Sequence, residues 1–80
     1  EELEKVDDEL KVLLQRFREL TPKQIQVLSY LRAGLMNKQI AHEMNVTEAT
    51  IKAHISAILR KLEINTRTQA VLLMDKLQLS

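Results

Sequence analysis

One glycine and one proline in eighty residues is the feature that most narrows what this chain can become. Tight hairpin turns draw on Gly, Asn and Pro at fixed positions. Gly34 and Pro22 alone are too few to build a series of them. The hydrophobic residues make up 45% of the chain, mostly Leu, Ile, Val and Ala, with Phe17 and Tyr30 as the only aromatics. They recur at spacings of three and four, the period of helices with one buried face. The chain is therefore expected to be all-α, one small domain near the lower size limit for a core without staples. The absence of cysteine excludes disulfides and thiolate metal sites and fits a reducing, cytoplasmic setting. The longest apolar run, "AVLLM", is far too short to span a membrane. A start on Glu rather than Met reads as a fragment or a processed chain.

A net charge of +1 conceals an asymmetry. Residues 1–20 carry seven acids and four bases, net −3, whereas residues 21–80 carry four acids and eight bases, net +4. The second part is thus the one suited to a polyanion.

Residues 1–20 place Leu3, Val6, Leu10, Leu13, Phe17 and Leu20 on a heptad seam, widened by Val12 and Leu14. This predicts an additional N-terminal linker helix ahead of a domain over 21–80. A helix packed on the core or on a neighbouring domain explains the seam as well as a dimer zipper does. In "LTPKQ", Thr21 can cap a second helix, Pro22 suits its first position and Gln24 can complete a capping box. That helix runs to about Ala33, with Leu28 and Leu31 inward and Gly34 as its left-handed stop. Asn37 is the expected N-cap of a short helix bearing Ile40, Ala41 and Met44, and Asn45 suits a sharp left-handed turn. Thr47 caps a longer helix to about Leu62 with a core stripe of Ile51, Ile55, Ile58, Leu59 and Leu62. Thr66 and Gln69 repeat the capping-box spacing before a last helix through roughly Leu77. There Ala70, Leu73, Met74 and Leu77 are expected inward, and Val71, Leu72 and Leu79 form a second apolar stripe of the kind that meets a partner. The competing expectation is that the first helix folds back over that stripe.

A short helix, a tight turn and a longer helix make the helix-turn-helix pattern, whose second helix enters the DNA major groove. The side of that helix opposite its isoleucines carries Ala49, Ala53, Ser56 and Ala57, bordered by Lys52 and Arg60. Small side chains let a helix axis sink into the groove while the flanking cations reach phosphates or base edges. Helix-compatible filler, or a seat for another helix, explains the same residues.

The segment "LTPKQIQVLSYLRAGLMNKQIAHEMNVTEATIKAHISAILRKLEINTRTQAV" resembles the LuxR-type helix-turn-helix domain. "LTP", "VL", "GL", "NKQIA", "VTEATIKAH", "LRKL" and "NTRTQA" fall in that family's order over residues 20 to about 72. The resemblance implies a tetrahelical fold with the third helix for recognition and the fourth for dimerisation on DNA. It implies Lys52, Ala53 and Ser56 at base edges, and Thr47, Thr50, Lys38, Arg60 and Lys61 at phosphates. It also places Val71, Leu72 and Asp75 near a two-fold axis. The implied function is that of a sequence-specific domain of a bacterial transcription regulator, of the two-component response regulator kind. Its partners would be double-stranded DNA, a second copy and RNA polymerase.

The chain departs from the family at Asn45 and Glu63, where Gly is common, and at Gln26, where Glu is usual. Gln26 would reduce a common ion pair to a neutral hydrogen bond with Arg67. No residues assemble into an active site, a phosphate loop or a metal-ligand spacing, so neither an enzyme nor a cofactor is expected. His42 and His54 fall on different helices, and His54 lies beside Thr50 and Lys61. The alternative from another class is a helical adaptor that binds RNA polymerase or a partner regulator without specific DNA recognition.

Overall fold

A computed structural model describes residues 2–77, with side chains described from Asp8 onward. The described residues form five helices: α1 (Glu2–Arg18), α2 (Pro22–Arg32), α3 (Asn37–Met44), α4 (Glu48–Leu62) and α5 (Arg67–Leu77). The side chains of Leu3 and Val6, and all of Leu79, lie outside what is described.

Local chemistry sets most of the boundaries. The Gln24 amide donates to Thr21 Oγ1 at 3.1 Å, and the Thr21 amide donates to Gln24 Oε1 at 2.9 Å, a closed capping box with Pro22 inside it. Thr66 and Gln69 reproduce it at the head of α5. Thr47 caps α4 by accepting from the Thr50 amide at 3.2 Å. The N-cap of α3 differs from expectation: Met36 holds that position and Asn37 is the first helical residue. Gln39 reaches back to the Met36 amide at 2.8 Å, which satisfies the helix start without Asn37. The Asn37 side chain is turned instead to Arg67, whose Nη2 donates to Asn37 Oδ1 at 3.0 Å. Arg67 therefore meets Asn37 rather than Gln26.

Three successive helices end in one manner. Leu35 donates to the Tyr30 carbonyl, Val46 to Ala41 and Ile64 to Leu59, each close to 3.0 Å, around a left-handed residue. Those residues are Gly34 at φ 89°, Asn45 at φ 56° and Glu63 at φ 55°. The conformation is free for Gly, tolerable for Asn and costs on the order of 1 kcal/mol for Glu. Glu63 is not left alone with that cost, since Arg16 Nη2 lies 2.8 Å from its Oε2. The cation of α1 thus offsets a carboxylate placed at the negative end of α4.

α4 is the hub, packing against each of the other four helices. Val27, Ile40, Ile51, Ile58, Leu62 and Ala70 are fully buried around it, with Leu28, Leu31, Ala41 and Met74 completing the centre. Ile55 and Leu59 are half-buried at its edge. Phe17 and Leu20 also enter this core, so the end of α1 packs on α4 of the same chain. The rest of α1 projects from the body, giving a molecule of 47 × 20 × 19 Å. Val12 and Leu14 are exposed there, and α1 does not fold back as a cover for α5.

Candidate nucleic-acid interface

The turn at Asn45 and the cap at Thr47 start α4 directly beside the end of α3. Packing of Ile51, Ile58 and Leu62 into the core then fixes which side of α4 faces out. That side is uncovered: Ala49, Ala53 and Ser56 are exposed, and Ala57 is half-buried at its border. Lys52 and Arg60 are exposed and make no hydrogen bond or ion pair among the described residues. A helix presenting two unengaged cations around a floor of methyl and hydroxymethyl groups can approach a polyanion closely.

The start of α4 adds polar groups to the same end. Thr47 Oγ1 and Thr50 Oγ1 lie 3.0 Å apart, with Thr47 exposed and Thr50 half-buried. The first turn carries the positive end of the helix macrodipole, which favours an anion. Glu48 places a carboxylate in that turn, good for the isolated helix and adverse to a neighbouring phosphate. Lys38 is exposed near the start of α3 and shares an open groove with Glu48 and Arg67.

Lys61 is not brought together with these residues as a phosphate ligand. Its ammonium donates to the Glu19 carbonyl and to Gln24 Oε1, both at 3.0 Å, so it fastens α4 to the junction of α1 and α2. Only the folded chain brings those two acceptors beside it. Gln24 is 7% exposed and holds three partners at once: the Thr21 amide, the Thr21 hydroxyl and Lys61. The capping-box motif pointed to Gln24 but not to this second duty. His54 is half-buried on the Lys61 flank, and His42 is exposed on α3.

On α5, Leu72 is 60% exposed whereas Val71 is half-buried against the core. Asp75 Oδ1 accepts from Arg32 Nε at 2.8 Å, which ties α5 to α2 within the monomer. Of the three residues expected near a two-fold axis, Leu72 alone is both apolar and open. No helix among the described residues is long and apolar enough to cross a membrane.

Comparison with known proteins agrees with this architecture. The family model for bacterial regulatory proteins of the luxR family matches residues 18–74. The chain is 53% identical over 53 residues to the glycerol metabolism activator of Pseudomonas putida, covering 66% of this chain and 24% of that protein. It is 46% identical over 57 residues to the nitrate/nitrite response regulator protein NarP of Escherichia coli K12, covering 71% and 26%. With the response regulator protein VraR of Staphylococcus aureus it shares 36% identity over 72 residues, covering 90% and 34%. The solved structure of response regulator StyR superimposes with a TM-score of 0.88 at 37% identity, covering 94% of this chain and 38% of that one. The chain spans about a quarter to a third of the curated relatives it matches. It belongs to the luxR family of bacterial regulatory proteins, as a helix-turn-helix DNA-binding domain.

Proposed function

We propose that this domain recognises operator DNA as a homodimer, as the output end of a cytoplasmic transcription regulator of the response regulator kind. In this reading α4 lies in the major groove. Lys52, Ala53 and Ser56 face base edges, while Thr47, Thr50, Lys38 and Arg60 meet phosphates. Lys61 is withdrawn from that set because its ammonium is engaged within the monomer. Val71, Leu72 and Asp75 on α5 lie toward the two-fold axis, with Leu72 as the apolar contact. RNA polymerase is the further partner that a regulator of transcription would meet.

One observation carries the proposal: the alanine and serine side of α4 is exposed although the same helix is the hub of the core. Its small side chains let the helix axis approach a duplex closely, with Lys52 and Arg60 at the border. Ala53 and Ser56 discriminate weakly between bases, so the shape and deformability of the duplex would carry part of the specificity.

The test is a titration of duplex DNA at several salt concentrations. Lys38, Lys52 and Arg60 on each of two protomers give a slope of log K against log salt of about −5. A slope near zero, or no binding to any duplex at low salt, would defeat the reading and favour a protein-binding adaptor.

A further inference from the structure

The linker helix is joined to the domain by more than its backbone. Phe17 and Leu20 enter the core, Arg16 reaches Glu63 at 2.8 Å, and Lys61 donates to the Glu19 carbonyl. Both polar ties meet the last turn of α4 or the residue that ends it. Glu63 is an awkward occupant of its place on two counts. It is a side-chain-bearing residue at φ 55°, and it sets a carboxylate at the negative end of a helix. Arg16 answers the second directly. By holding the side chain, it also helps to hold the backbone that carries it. That backbone is the bend through which the chain passes from α4 toward α5, closed by the Glu63 and Ile64 amides on the Arg60 and Leu59 carbonyls.

We propose that Arg16 and Glu63 form a positioning pair through which the seat of the linker helix sets how α5 leaves the recognition helix. The consequence for DNA rests on the homodimer reading above: α5 carries the two-fold seam, so the bend at Glu63 sets the separation of the two recognition helices. The side chains of the pair are 31% and 66% exposed, while Phe17 and Leu20 beside them are buried. The linker acts as a lever on half-site spacing.

An exposed ion pair counts for little by itself. This one matters because Glu63 needs it, which makes the effects of the two residues non-additive. In amide hydrogen exchange, Arg16→Ala speeds exchange at Glu63 and Ile64 by about threefold or more. Arg16→Lys stays near the parent. In a Glu63→Gly background the backbone adopts the bend unaided, and Arg16→Ala then changes nothing. The same chains are titrated against a duplex selected from a randomised pool with the parent protein, and against that duplex cut to one half-site. Arg16→Ala weakens the two-half-site complex by about threefold or more and leaves the single half-site within about twofold. Unchanged exchange in Arg16→Ala overturns the proposal, as does an effect equally large in the Glu63→Gly background. Faster exchange with unaltered two-half-site affinity overturns the lever. If the parent chain binds no duplex at low salt, the DNA reading fails, and the exchange experiment still decides whether the pair holds the bend.

Discussion

Lys52 and Lys61 stand on the same helix and have different employment. Lys52 is exposed without a partner among the described residues, whereas Lys61 bridges Glu19 and Gln24. Lys52→Ala is expected to weaken duplex binding roughly tenfold and to lower the salt slope by about 1 per protomer, with the thermal transition unmoved. Lys61→Ala should do the reverse. It removes two hydrogen bonds that tie α4 to α2 and to the turn after α1, at a cost of about 1 kcal/mol in urea unfolding, and leaves the salt slope where it was. The resemblance assigned Lys52 to base edges and Lys61 to phosphate, but sequence alone could not show that the monomer engages the Lys61 ammonium itself. Which lysine the monomer captures depends on where a backbone carbonyl and a buried amide come to rest after folding. Arg67 makes the same point: its partner is Asn37, while Gln39 serves the start of α3.

The helices themselves were largely legible, because their ends are fixed by contacts within a few residues. Thr21 with Gln24, Thr47 with Thr50 and Thr66 with Gln69 are local pairs that spacing alone reveals. The left-handed stops at Gly34 and Asn45 were equally readable, since few residue types accept that backbone. The start of α3 was not, because Asn37 is a good cap by type and yet sits one residue inside the helix. A substitution at Gly34 tests the logic of the stops. A Cβ added there meets nothing within 4 Å, so only the backbone at φ 89° resists it. Gly34→Ala should therefore cost about 1–2 kcal/mol, read as a lower urea midpoint with an unchanged m-value. A larger loss would mean that packing, not conformation, requires the glycine.

At the scale of the molecule, residue size marked out the small side of α4 but left open whether it was uncovered or seated another helix. The fold leaves it exposed; the division of labour on α5 was not legible. Val71 and Leu72 are neighbours of similar character, and only the fold shows that Val71 leans on the core while Leu72 looks outward. Leu72→Asp is accordingly the clean probe of a dimer. It should abolish cooperative binding to a two-half-site duplex and leave single-site affinity and the melting temperature nearly intact, whereas Val71→Asp should also destabilise the fold. Equal losses of affinity on both duplexes for Leu72→Asp would remove α5 from the interface. The seating of α1 has a further meaning for how such a domain is handed on between proteins. Phe17 and Leu20 are structural members of the globule, so the natural breakpoint for proteolysis or gene fusion lies upstream of Arg16. A recombination event that joined a new sensory module at Thr21 would inherit a domain with part of its interior stripped away.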